Sequence, residues 1–323
     1  MRRSLLSTML ILAVLGLIGC SASSTSTPPP VPQRLFVGNG YAVTTANRGL
    51  IFNYSAPVTS TSTPLFTLTA GDSTSALESF AQDTTYDYVA DCNDHLIRAA
   101  LRPLASSSVQ AFTLTGVGVG PDGLAADSSG NLYAGNDCGD EHLDVWSAPI
   151  SSSSTVSVSV NDATITNQKR QQIYVDNVNH LLYEANCATT QHIMVYNLPL
   201  TSTSTAATTV TVAGVTCADG LTINPLTNQL FLGVTTAAAS NIIDVFSLPI
   251  SSSSTPALTI TTSTAAQRFI NLAFDRSGNL YASDRGTSAI DVFVPPFTTT
   301  SSPAFSLTPT GIDKPWGLEI MQP

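Results

Sequence analysis

The sequence predicts an all-β protein: a six-bladed β-propeller of four-stranded blades, its ring closed by the C-terminal strand pairing into the first blade. Two observations carry this expectation. One repeated unit accounts for almost the whole chain beyond its first 33 residues, and the chain begins and ends in complementary fragments of that unit. The unit is clearest in GLAADSSGNLYAGND followed by LDVWSAPISSSSTVSVSV (Gly123–Asp137 and Leu143–Val160). It returns as GLTINPLTNQLFLGV with IDVFSLPISSSSTPALTI (Gly220–Ile260), and as NLAFDRSGNLYASDR with IDVFVPPFTTTSSPAFSL (Asn271–Leu307). Diverged copies lie at Phe80–Leu114 and Ile173–Val212, and a first copy opens at Arg34.

Taken in order, residues 1–20 read as a lipoprotein signal peptide. Arg2 and Arg3 precede an apolar run, Leu5–Ile18, too short to span a bilayer. The run ends in Leu17-Ile18-Gly19-Cys20, which resembles the bacterial lipobox; that resemblance implies lipidation of Cys20 and anchoring in the cell envelope. Ser21 after the cysteine points to the outer membrane or a periplasm-facing position. Residues 21–33, rich in Ser, Thr and Pro with three consecutive prolines, form an extended tether. Residues 34–323 form the propeller.

Each copy supplies four strand-sized pieces. An apolar run ending in Asp or Asn comes first, as at Leu124–Asp127 or Leu221–Asn224, and a tight turn such as SSGN follows. The second strand carries an aromatic anchor: Phe36, Tyr88, Tyr133, Tyr183, Phe231 and Tyr281, each 45 to 52 residues after the one before. The third strand closes on a proline, at Pro57, Pro103, Pro149, Pro199, Pro249 and Pro295. A Ser/Thr tract then leads into the fourth strand. These tracts read as hairpin loops or as O-glycosylation sites, and nothing local separates the two. The first copy starts at its second strand, Arg34–Asn39, while PWGLEIM (Pro315–Met321) is a first strand with nothing after it. Joining the two removes both open edges.

With 43% hydrophobic and 11% charged residues, the chain can bury a large core built on Ser, Thr, Asn and Gly punctuation. Its formal charge of -10 excludes nucleic acid as a partner, because such binding needs a cationic face.

At PDGLAAD, GNLYAG and the YVADC turn of the second copy, the pattern resembles the NHL-repeat and gluconolactonase (SMP-30) superfamily of six-bladed propellers. That resemblance implies that the second-to-third and fourth-to-first connections share one face, which here carries every cysteine after Cys20, three of the four histidines and most acidic loops. Cys92 and Cys138 fall in equivalent loops of neighbouring copies, as Cys187 and Cys217 do in the next two, so two disulfides are expected in that pairing. His95, His142 and His192 precede three successive third strands and read as polar rim residues. Third strands lie roughly 15 Å apart there, too far for one ion.

Alignment of the first strands places Glu78, Asp122, Gln171, Asp219, Ile270 and Trp316 around the central channel. Glu78, Asp122 and Asp219 are the candidate ligands of one divalent cation, calcium or zinc, which the lactonase branch of the resembled superfamily uses to activate water or polarise an ester. Asn136, Asn186 and Asp284 are further candidates. Against this, Asp122 and Asp219 could simply cap their strands, and no GxSxG elbow is present. The leading expectation is a non-catalytic, envelope-anchored binding scaffold offering its acidic loop face to a protein, glycan or small molecule. A metal-dependent lactonase-type hydrolase is the alternative.

Overall fold

A computed structural model describes residues 32–40, 45–116, 120–137, 141–165, 169–239, 241–264, 267–308 and 310–322. Cys20, the signal peptide, most of the tether and Cys138 lie outside the described residues. Six four-stranded antiparallel sheets form a six-bladed β-propeller. The first blade contains β1 (Gln33–Asn39), β2 (Leu50–Ala56) and β3 (Phe66–Thr69). The second is β4 (Leu77–Gln82), β5 (Tyr86–Asp91), β6 (Leu96–Leu101) and β7 (Gln110–Leu114). The third is β8 (Pro121–Ala126), β9 (Leu132–Asn136), β10 (Leu143–Trp146) and β11 (Val158–Val160). The fourth is β12 (Arg170–Asp176), β13 (Leu181–Asn186), β14 (Ile193–Asn197) and β15 (Thr208–Val210). The fifth is β16 (Val215–Asn224), β17 (Gln229–Thr236), β18 (Ile242–Ser247) and β19 (Leu258–Thr261). The sixth is β20 (Phe269–Phe274), β21 (Leu280–Asp284), β22 (Ala289–Phe293) and β23 (Phe305–Leu307).

The last strand, β24 (Pro315–Met321), completes the first blade in the order β24-β1-β2-β3. Its register sets Leu35 opposite Ile320 and Phe36 opposite Glu319. The ring is therefore closed by pairing the two ends of the chain, as the fragmentary first and last copies predict.

Alternating strands give every blade two apolar faces, and six buried clusters fill the six gaps between neighbouring blades. Tyr88 and Ile97 meet Leu124 and Trp146 between the second and third blades, for example, and Tyr281 and Ile290 meet Leu35 and Tyr54 between the sixth and first. The repeat residues serve this layering. Tyr133 and Tyr281 are buried, and each hydroxyl donates to the aspartate of its own turn, Asp127 at 3.0 Å and Asp275 at 2.9 Å. Those aspartates also accept the turn amides of Ser129 and Ser277, which is the capping expected of SSGN and RSGN.

The Ser/Thr tracts form one loop repeated six times. Thr59, Ala105, Ser151, Thr201, Ser251 and Thr298 each donate a backbone N–H to the hydroxyl of the serine three residues on. A cis proline precedes each loop: Pro57, Pro103, Pro149, Pro199, Pro249 and Pro296. In the sixth blade it is thus Pro296, one residue beyond the proline that the sequence pattern selects.

Candidate functional site

The strands nearest the axis begin earlier than their apolar runs suggest, and this extension builds the site. Where the candidate ring residues fall, the pairing of first and second strands slips: between Leu77 and Ser79, Pro121 and Gly123, Arg170 and Ile173, Ala218 and Leu221, and Phe269 and Asn271. Each slip leaves Glu78, Asp122, Gln171, Asp219 or Ile270 unpaired in its ladder, and such a bulge re-aims a side chain out of the pleat. Trp316 sits at the corresponding irregularity between β1 and β24. All six are buried, the most exposed being Trp316 at 7%.

Glu78 and Asp122 come together. Both carboxyl groups are held well above the ordinary range, Glu78 by burial and then by the charge of Asp122, Asp122 by burial and then by the charge of Asp137. Among the described residues no amide, hydroxyl or cationic donor reaches either Glu78 carboxylate oxygen. Asp122 Oδ1 accepts the Trp316 indole N–H at 3.2 Å. Burial and mutual repulsion both favour the protonated form of one member of the pair. Asp137, at the end of β9, is the third acid; Gln171 Nε2 donates to its Oδ2 at 2.7 Å.

Asp219 does not join them. The Arg268 guanidinium takes both of its oxygens, at 3.1 and 3.3 Å, and it sits on the opposite side of the ring with Arg285, which lies 4.6 Å over the Trp316 ring. The set Glu78, Asp122 and Asp219 therefore does not form one cluster. Among the described residues the one group of three metal-ligating side chains with donor atoms within 4.8 Å of one another is Cys187, Cys217 and Asp219. Cys187 and Cys217 are joined in the expected disulfide, which leaves neither sulfur as a thiolate. Cys92 is also disulfide-bonded; its expected partner, Cys138, lies outside the described residues.

The further candidates hold loops. Asn186 Oδ1 accepts the Lys169 N–H at 2.7 Å and Asp284 Oδ1 the Arg268 N–H at 2.8 Å, tying second-strand ends to the loops entering the first strands. Asn136 donates to the His142 carbonyl at 2.9 Å. His142 is hydrogen-bonded to Ser159, a rim position as expected. His192 departs from that reading: it is fully buried, Nδ1 accepts the Val212 N–H at 2.8 Å, and burial lowers its pKa.

Just inside the ring a second layer closes the channel. Gln172 Oε1 accepts the N–H groups of Leu221 at 2.7 Å and Leu272 at 3.0 Å, and Nε2 donates to the Leu272 carbonyl. Asn271 Nδ2 donates to the Glu78 carbonyl at 3.0 Å, and Ser79 Oγ accepts the Leu124 N–H at 3.0 Å. Elsewhere in this layer glycine lets strands approach: a Cβ on Gly123 would stand 2.1 Å from the Gln171 carbonyl oxygen. These side chains form a septum between the two ends of the channel.

Sequence reasoning missed Asp137, the arginine pair and the septum. Asp137 was visible as the acid beside Asn136, and Gln172 and Asn271 as long amides where three copies have glycine.

No protein-family profile and no curated protein sequence matches this chain. Solved structures do. The nidogen–laminin complex contains a chain similar at TM-score 0.64 and 14% identity, covering 89% of this chain and 98% of that one. A candidate 6-phosphogluconolactonase from Bacteroides fragilis aligns at 0.63 and 12%, covering 92% and 99%. The periplasmic gluconolactonase of Pseudomonas aeruginosa aligns at 0.62 and 11%, covering 90% and 100%. At these identities the likeness is one of fold, and the strand order of the chain itself makes it a six-bladed β-propeller.

Proposed function

We propose that this propeller is a lactonase-type hydrolase acting on a small polar cyclic ester at the cysteine-bearing end of its channel, held at the cell envelope through Cys20. The observation that carries the reading is the Glu78–Asp122 pair. Two acids buried against each other, with Asp137 adding a third charge, destabilise a fold, and acids perturbed this way concentrate where protons are transferred. Two of the structurally similar propellers bear lactonase names.

In this mechanism the ionised member of the pair takes a proton from the attacking water as its oxygen adds to the lactone carbonyl. The protonated member gives its proton to the ring oxygen as the C–O bond breaks, leaving a hydroxy acid. Arg268 and Arg285, across the ring, orient an anionic substituent of the substrate.

A divalent cation suits the donor chemistry of the same corner. Glu78, Asp122 and Asp137 are oxygen donors of the kind calcium prefers to zinc, but they do not bring three donor atoms within 4.8 Å of one another, and Asp219 is taken by Arg268. Bound there, the ion would supply Lewis-acid polarisation of the carbonyl.

The test is proton release from gluconolactone and related lactones by the domain spanning residues 21–323, corrected for spontaneous hydrolysis, against Glu78→Gln and Asp122→Asn. Losses of about a hundredfold or more in both variants support the reading. Wild-type turnover equal to buffer removes it. The second reading, a non-catalytic binding scaffold, is favoured by how little of the ring is exposed, 7% at most. A similar propeller in a protein complex supports it too. It gains if wild-type protein binds a lactone or sugar acid without turning it over. Palmitate labelling that persists in Cys20→Ser would overturn the anchor.

A further inference from the structure

The other end of the channel holds a second cavity, on the far side of the septum from Glu78 and Asp122. It measures about 240 Å³, and its walls are the first strands of four blades, β4, β8, β12 and β24. Its lining mixes apolar residues, Ala125, Ala126 and Ile320 among them, with Gln82, Tyr174 and Glu319.

The repeat shows that construction of the blades does not call for these groups. Three residues beyond each ring residue, four copies carry a small side chain, Ala81, Ala125, Thr222 and Ala273. The two exceptions are Tyr174 and Glu319, and both line the cavity. A tyrosine and a glutamate replace small residues at the same level of the same ring.

Glu319 has no counter-charge. Its Oε1 accepts the neighbouring Ile320 N–H at 3.2 Å, and none of the ion pairs among the described residues includes it. The charged groups nearby are engaged elsewhere. Asp83 accepts the Tyr88 hydroxyl, Asp176 caps its turn through the Val178 N–H, and Arg102 pairs with Asp87 and donates to the Gln322 carbonyl. Arg34, on the adjacent β1, donates to the Leu104 carbonyl. The Gln82 amide oxygen is buried with no donor. The cavity thus presents an unpaired carboxyl, a spare carbonyl and an aromatic ring to whatever enters, a set that lacks only a positively charged donor.

We propose that this cavity binds a small organic ammonium cation, a primary amine on a flat apolar body, with Glu319 as its counter-charge, Gln82 as a second acceptor and Tyr174 as its aromatic wall. The apolar body replaces water against Ala125, Ala126 and Ile320, and the ammonium group sits at the carboxylate. Burial pushes the Glu319 pKa up to about 8, and the Glu319 charge in turn helps burial push Tyr174 up to about 12. An empty site therefore holds a neutral acid at pH 7, and binding the cation expels that proton.

Benzylammonium is the probe, with benzyl alcohol and benzoate as the neutral and anionic counterparts, titrated calorimetrically into the domain spanning residues 21–323. Benzylammonium binds, benzyl alcohol binds at least about tenfold more weakly, and benzoate does not bind. Affinity for benzylammonium rises roughly tenfold per pH unit between pH 6 and 8. Glu319→Gln lowers it about tenfold or more at pH 8. Ala125→Phe, which fills the cavity and leaves the carboxylate in place, abolishes it, with circular dichroism confirming that each variant is folded. Equal affinity for the alcohol and the ammonium, undiminished binding in either variant, or no benzylammonium binding at millimolar concentration would overturn the proposal. Lactone turnover lies beyond the septum, and Glu319→Gln leaves it unchanged.

Discussion

Gln172 Nε2 donates to the Leu272 carbonyl oxygen at 3.0 Å, joining the first strands of the fourth and sixth blades past the blade between them. With Oε1 accepting from Leu221 and Leu272, one side chain satisfies three buried backbone groups on two other blades. With the Asn271–Glu78 bond it ties the fourth, fifth, sixth and second blades together across the axis.

Gln172→Leu keeps the bulk and removes every one of these bonds. Two buried N–H groups and one carbonyl are orphaned, at about 1–3 kcal/mol each before relaxation. The expected loss is roughly 3 kcal/mol in urea unfolding, large for a substitution that leaves the blade cores untouched. A loss below about 0.5 kcal/mol would mean that water replaces the amide and the septum is not structural.

How far this architecture could be read from the sequence depended on the repeat. Blade number, the aromatic anchors, the turn aspartates and closure by Pro315–Met321 each recur or complement one another, so alignment of copies exposes them. The ring residues were also found by alignment, because the bulge that aims them is itself repeated. Which ring members meet was not legible. Asp122 approaches Glu78, and Asp219 turns to Arg268, which lies two residues ahead of the ring position of the next blade and reaches back to it. Glu319 and Tyr174 were hidden for the opposite reason: they matter as departures from the consensus, and attention to the consensus passes over them.

Closure of the ring by β24 gives a prediction about truncation. Ending the chain at Lys314 removes Leu318 and Met321, which fill the gaps on either side of the first blade, and exposes the edge of β1. Loss of cooperative thermal unfolding is expected, with rapid proteolysis throughout the domain. A truncated chain that melts as sharply as the full domain would show that the first blade stands without its inner strand.

Arg170 and Glu184 form a fully buried ion pair between β12 and β13, with Arg170 also donating to the Glu141 carbonyl at 3.0 Å. Burial pushes the Glu184 pKa up to about 7 even though the Arg170 charge opposes it. Arg170→Met should cost about 3–5 kcal/mol, because it strands a buried carboxyl. The double variant Arg170→Met, Glu184→Leu should recover much of that loss. The check is a double-mutant cycle in urea: additive losses would mean that the two groups are stabilised independently of each other.

The buried acids set a pH dependence opposite to that of a protein held by surface ion pairs. Burial raises Glu319 to about 8, raises Asp87 and Asp291 each to about 6, and holds Glu78 and Asp122 well above the usual range. Each folded-state pKa exceeds its unfolded value, so the folded chain keeps protons that the unfolded chain has released. The stabilisation is complete below the unfolded values of 3.8 for aspartate and 4.5 for glutamate, and is lost as pH rises through 6 and then 8. His192, whose pKa burial lowers from 6.5, acts in the other sense and costs stability as it is forced to ionise on acidification. Melting temperature should therefore fall steadily from about pH 6 to pH 9. Glu319→Gln should remove the part of that decline that falls between about pH 7 and pH 8, on the order of 1 kcal/mol. Glu78→Gln should raise stability at pH 8 by about 1–2 kcal/mol, since an amide supplies Asp122 with a donor and ends the competition for one proton. Calcium, if Glu78 and Asp122 hold it, should raise the wild-type melting temperature at pH 8 and leave Glu78→Gln unmoved. A melting temperature that climbs between pH 6 and 9 would show these carboxyls to be ionised and solvated, and the acid pair would lose its claim to proton transfer.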